Sequence, residues 1–250
     1  MYRGPARAYA AAPMASIAEN ILQVRGRIES ACRAFDRLPA SVNLLAVSKT
    51  CPGVSVREAF AAGQRDFGEN YVQEALAKID ELADLRQQLR WHLIGPLQSN
   101  KAREVAARFD WVHAVDRMKL AQRLSDLRPP ELPPLQVCLQ VNISGEASKS
   151  GVAPADLPAL ARAVAALPRL KLRGLMAIPE PAGDLAAQRA PHRALRKLLE
   201  AMNAEGLGLD EETFGATGSS PLAPEEAPRP RRNGDAGPHI SRRHRPPSGA

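Results

Sequence analysis

Lys49 follows an apolar run, Val42-Asn43-Leu44-Leu45-Ala46-Val47, after a single serine. A run of this kind, polar only at its end, reads as a strand buried on both faces of a parallel sheet. An ammonium walled by apolar side chains loses solvation, which favours the neutral amine. A neutral amine attacks aldehydes and forms a Schiff base. Position alone leaves a second reading open, a lysine whose stem follows the apolar wall while its head reaches water.

Other chemistry-bearing residues recur where further strands end. Gly68-Glu69-Asn70 follows a short run from Arg65, and His92 lies inside Trp91–Ile94. Gly95-Pro96-Leu97-Gln98-Ser99-Asn100-Lys101 comes next, then Asn142-Ile143-Ser144-Gly145 after a fifth run, and Met176 near the end of a sixth. Each has a plain alternative taken singly. His92 could be a hydrogen-bonded core histidine. Asn70 and Asn142 could end their strands by bonding to their own loops. Ser99 could be a helix N-cap, and Glu146–Gly151 a loop. Cys32, Cys51 and Cys138 fit neither a metal knuckle nor a disulfide framework.

The elements that must position these groups alternate along the chain. A helix is expected over 17–35, where Ile17, Ile21, Val24, Ile28 and Cys32 form one apolar stripe. Ser16 and Glu19 have capping-box spacing before it. Strands are expected at 42–47, 65–68, 91–94, 111–115, 135–141 and 170–178. Helices are expected at 55–63, 71–86, 99–108, 117–127, 155–167 and 187–203. This alternation implies βαβ units and a parallel sheet. In an α/β barrel the active site lies at the C-terminal ends of the strands, where Lys49, Asn70, the run after His92, Asn142 and Met176 fall. Six strands are legible, and a closed (β/α)8 barrel has eight.

Three segments are expected: a disordered extension over 1–13 (with Met14 as the true start), a barrel domain over 14–210, and a disordered tail over 211–250. The tail holds seven of the 22 prolines and no lysine, so it buries too little to offset its ordering entropy. The net charge is +7, but the basic residues are scattered among acids, without the stripe that nucleic-acid binding requires. No apolar stretch spans a bilayer. An odd cysteine count points to a reducing, cytoplasmic setting.

Taken in order, the motifs carry a resemblance. Ala46-Val47-Ser48-Lys49-Thr50, Phe67-Gly68-Glu69-Asn70-Tyr71-Val72-Gln73-Glu74 and Trp91 through Lys101 closely resemble the pyridoxal phosphate homeostasis protein family. Val141-Asn142-Ile143 with Lys149-Ser150-Gly151, and Leu172 through Pro179, match later blocks in the same order. The resemblance covers roughly 14–210. It implies an α/β (TIM-type) barrel similar to the N-terminal domain of bacterial alanine racemase, incomplete here, with strands 7 and 8 missing. It implies pyridoxal 5′-phosphate (PLP) held as a Schiff base on Lys49, with Asn70, His92, Asn142 and Met176 lining the cofactor pocket. It implies no catalytic turnover but a role in intracellular vitamin B6 homeostasis, as a monomer, with PLP-dependent apo-enzymes as possible recipients. A PLP-dependent amino-acid racemase is the alternative, and a class I aldolase a more distant one. The racemase would need a second domain and a tyrosine base, and Tyr2, Tyr9 and Tyr71 do not suit that role.

The chain departs from the family after Asp210. The Ser-Met-Gly-Met-Ser and Arg-x-Gly-Thr-Ala-x-Phe-Gly blocks, which the resemblance assigns to the phosphate, are absent. Codons for Ser241-Arg242-Arg243-His244-Arg245-Pro246, read one base later, can spell Arg-Val-Gly-Thr-Ala-Leu. A frameshifted tail is therefore expected, along with weak cofactor retention.

Overall fold

The computed structural model describes residues 16–145, 150–180, 182–214 and 239–243. The expectations for 1–13, Met14, Lys149 and most of the tail lie outside them. Helix α1 (Ile17–Ala34) opens as its sequence requires: the Ser16 hydroxyl accepts from Glu19 N–H, and the Glu19 carboxylate accepts from Ser16 N–H.

The six expected strands are present as β1 (Val42–Val47), β2 (Asp66–Glu69), β3 (Arg90–Leu93), β4 (Trp111–Val115), β5 (Leu135–Gln140) and β6 (Leu170–Ala177). Each pairs in parallel with the next. Helices α2 (Gly53–Ala61), α3 (Val72–Glu81), α4 (Ala102–Arg108), α5 (Met118–Leu127), α6 (Leu157–Ala165) and α7 (Leu185–Ala204) form the outer layer. The helix expected from 99 begins as a 3₁₀ turn, Ser99–Lys101.

Most of the apolar core lies between sheet and helices: Phe67, Trp91, Leu93, Leu135, Leu139 and Leu175 pack there against Ile79, Leu120, Leu124 and Leu195. A smaller cluster fills the barrel itself, made of Trp111, Ala114, Cys138 and Met176. Register shifts in the β4–β5 and β5–β6 ladders make this possible. Past the β4 shift, Ala114 joins Trp111 inside while Val112 and Val115 face the outer core. An extra residue in one strand re-aims the side chains beyond it.

Two more strands correct the expectation that positions 7 and 8 are empty and that the tail starts at 211. β7 (Glu211–Phe214) runs parallel to β6, and β8 (His239–Arg243) runs antiparallel to both β7 and β1, closing the ring. The edges of β1 and β6 are therefore covered. The barrel remains incomplete as a (β/α)8 repeat, because seven strands are parallel and the eighth place is filled by a reversed strand. β7 carries no apolar signal because it opens Glu-Glu-Thr. Those three side chains are nonetheless buried, and Glu212 accepts a 2.7 Å hydrogen bond from Arg196 of α7. Gly174 admits β7 to the sheet: a Cβ there would lie 1.7 Å from the Glu211 carbonyl oxygen.

Candidate functional site

The parallel register brings the expected residues to one end of the barrel. Val47 is paired with Gly68, and Lys49 and Asn70 each follow two residues further on, at the end of the barrel where β1 and β2 finish. Gly68 is paired with His92, which puts Ile94 beside Asn70 and His92 one inward layer deeper. A cavity of about 450 Å³ opens here, lined among others by Asn70, Ile94, Gly95, Gln140, Asn142 and Ile178.

Asn70 and Asn142 thus share one cavity. The Asn70 Oδ1 atom is buried and has no hydrogen-bond partner. The Asn142 Oδ1 atom accepts from Ser144 Oγ at 3.2 Å and from Gly145 N–H at 3.1 Å, so part of its capacity closes its own turn. Glycines let the backbone crowd both residues. A Cβ on Gly95 would sit 2.3 Å from the Asn70 carbonyl oxygen, and one on Gly151 would sit 2.6 Å from Asn142 N. Lys49 is half-buried in the turn after β1 and is not among the residues that line this cavity.

Met176 and His92 lie deeper. Met176 is fully buried against Trp111, Ala114 and Cys138. His92 is buried, and both its ring nitrogens are engaged: Nδ1 with His113 Nε2 at 2.9 Å and Nε2 with Asp66 Oδ1 at 3.1 Å. His113 Nδ1 continues the chain to Thr213 Oγ1 at 3.1 Å. A row of hydrogen bonds thus runs from Thr213 through both imidazoles to Asp66, with donor directions set by the histidine tautomers. Burial would raise the Asp66 carboxyl, but hydrogen bonds from Arg90 and His92 overcome it and hold the group far below the usual carboxylate range. Burial pushes the Cys138 thiol far up, which makes it an inert part of the wall.

Sequence reasoning missed the polar cluster beneath Lys49. Lys78 of α3 is buried and donates to Glu69 Oε1 and to the Ser48 carbonyl, both at 2.6 Å, and to Glu74 Oε1 at 3.1 Å. Ser48 Oγ also donates to Glu69 Oε1 at 2.6 Å. The Glu74–Lys78 spacing was the available signal, but it looks like an ordinary solvated i,i+4 helix pair.

A ligand with a hydrogen-bond donor on a flat edge and an aldehyde near Lys49 fits this wall, since it would satisfy Asn70 Oδ1. An anion fits less well: among the described residues of the wall none is Lys or Arg, and Glu180 is acidic.

Comparison with known proteins settles the family. The alanine racemase N-terminal domain model matches residues 15–227. The pyridoxal phosphate homeostasis protein of Pseudomonas aeruginosa PAO1 is 64% identical over 202 residues, covering 81% of this chain and 86% of that protein. Its Escherichia coli K12 counterpart is 56% identical over 176 residues, covering 70% and 75%. The chain belongs to the pyridoxal phosphate homeostasis protein family.

Among solved structures, PipY of Synechococcus elongatus PCC7942 with PLP bound is similar at TM-score 0.67 and 41% identity, covering 79% of this chain and 87% of that one. Alanine racemase from Corynebacterium glutamicum, at 18% identity and TM-score 0.57, covers 76% of this chain and 51% of that one, and shares the fold. The family match runs past Asp210, through β7, to residue 227. The family's fold thus extends beyond the end expected from the motifs.

Proposed function

We propose that this homeostasis-family member binds PLP as a Schiff base on Lys49 and does not turn over a substrate. The observation that carries the reading is the buried Asn70 amide oxygen, which has no hydrogen-bond partner, in a cavity at the same end of the barrel as the turn that carries Lys49. The PipY relative solved with PLP bound supports the choice of aldehyde. When bound, PLP supplies an aldehyde to a primary amine. The chain's own residues do the rest. Lys49 provides the amine, Asn70 accepts a hydrogen bond from the ligand's edge, and Asn142 and Gln140 bound the opposite side. Met176 and His92 shape the floor below rather than touch the ligand directly.

Turnover needs positioned proton carriers. Among the described residues of the cavity wall, Glu180 is the one titratable group. The homeostasis name of the relatives is what supports reading the protein as a monomer that stores the cofactor inside the cell and delivers it to PLP-dependent apo-enzymes. Among the described residues no helix is long and apolar enough to cross a membrane.

Incubation with PLP, borohydride reduction and peptide mass analysis tests the assignment. The adduct is expected on the peptide containing Lys49 and lost in Lys49→Ala. An adduct located mainly on another lysine would refute it. Optical rotation with racemising amino acids separates the alternative: any sustained racemisation that depends on Lys49 would make the protein an enzyme.

A further inference from the structure

The buried Lys78 cluster has no part in the reading above, yet it touches both neighbours of Lys49. An ammonium has three donors, and Lys78 places one on the Ser48 carbonyl, one on Glu69 and one on Glu74. Glu74 in turn accepts from Thr50 N–H at 2.5 Å. Residues 48 and 50 are thus both tied to α3, and the side chain of residue 49 between them is left unengaged. The turn needs holding, because Thr50 has φ +62°, a left-handed conformation that a β-branched residue disfavours.

We infer that Lys78, together with Glu69 and Glu74, is a positioning group that fixes the Ser48–Thr50 turn so that the Lys49 amine meets an aldehyde in one orientation. This rests on the proposed role of Lys49. The alternative is a purely structural cluster. A buried ion pair is weak evidence of stabilisation, since apolar replacements often serve as well. Here Lys78 donates to the Ser48 carbonyl and Glu74 accepts from Thr50 N–H, backbone groups of the two residues flanking one amine, and stability alone does not require that placement. Glu69 Oε2 is buried without a partner, so the pair is not optimised for its own sake.

The test follows the rate of PLP attachment to Lys49 by imine absorbance, with borohydride trapping to locate it, across a pH series. Lys78→Met and Lys78→Met/Glu69→Gln remove the buried cation, the second without leaving a bare carboxylate. Each is expected to slow attachment about tenfold or more at every pH, as misplaced reacting groups do, with circular dichroism unchanged. Glu74→Ala keeps the test open if both unfold, because Glu74 is only partly buried. It is expected to slow attachment, and Glu74→Gln, which restores an acceptor for Thr50 N–H, to recover most of the rate. Folded variants that attach PLP to Lys49 at the unaltered rate would overturn the inference alone. An unaltered chain that takes no label on Lys49 would overturn the parent reading and this one with it.

Discussion

Gly174→Ala tests the element that the sequence conceals most completely. A methyl at this position would lie 1.7 Å from the Glu211 carbonyl oxygen, 2.6 Å from its carbon and 3.0 Å from its Cα. Carbon and oxygen approach no closer than about 3.3 Å in ordinary sheet contacts. β7 must therefore retreat by roughly 1.5 Å from a strand normally about 4.8 Å away. A ladder hydrogen bond stretched that far is no longer one. The register Gly174–Glu211 through Ala177–Phe214 opens, and the burial of Thr213 goes with it. With each bond contributing about 1 kcal/mol, the expected loss is about 3 kcal/mol. That is at the upper end of the usual cost of overpacking, about 1–3 kcal/mol. Urea midpoints give the loss, and hydrogen exchange locates it at residues 211–214. Lys171→Ala, on an exposed position of the same strand, should change stability by no more than about 0.5 kcal/mol. If Gly174→Ala is equally mild and the 211–214 amides stay protected, β7 does not lie against Gly174.

Two further changes probe the site and the barrel interior. Gly95→Ala would put a methyl 2.3 Å from the Asn70 carbonyl oxygen. Displacing Asn70 is expected to weaken PLP binding about tenfold, near 1.4 kcal/mol, in an absorbance titration, and unchanged affinity would remove Asn70 from the site. Asp66 supplies a pH dependence. Its carboxyl is held low in the fold, so the unfolded chain takes up the proton first, and the stability it contributes is present above about pH 4. That contribution fades as pH falls further. Asp66→Asn is expected to cost about 1–3 kcal/mol at pH 7 and to flatten the acid limb in urea midpoints measured from pH 3 to 7. An unchanged acid limb would exclude Asp66 as its source.

How much of this was legible depends on what each residue's partners are. β1 could be read as a strand because its run is largely apolar, although burial on both faces did not follow: of its six residues Leu45 alone is fully buried. β7 could not, because its buried positions are Glu, Glu and Thr, whose burial makes sense only once Arg196 and His113 are beside them. Asn70 and Asn142 could be expected near one another because strand ends are local features and a parallel register carries them to one level, and they do line one cavity. His92 was visible as a strand residue, but Asp66, His113 and Thr213 come from three other strands, so its saturated hydrogen bonding was not. Lys78 was hidden for the opposite reason. Its near partner Glu74 looked sufficient, and nothing local indicated that the ammonium reaches across to the Ser48 carbonyl.

The direction of β8 decides what kind of binding the mouth can offer. In a regular barrel the eighth strand delivers its following loop to the mouth, where backbone N–H groups face a phosphate. Here Arg242 pairs with Val42, at the start of β1, while His239 pairs with Leu45. The chain therefore enters β8 near the mouth and leaves it at the closed end. The described wall meanwhile has amides, a carboxylate and no cation. Charge-assisted bonds to an anion are worth about 1.5–3 kcal/mol each, so a site without them should discriminate poorly between PLP and pyridoxal, which has the same aldehyde and no phosphate. Competition for Lys49, read by borohydride trapping of mixed aldehydes, is expected to favour PLP by less than about tenfold. A preference of about a hundredfold, near 2.7 kcal/mol, would mean that segments outside the described residues return a cation or a nest of N–H groups to the mouth. In that case the site is whole despite the reversed strand.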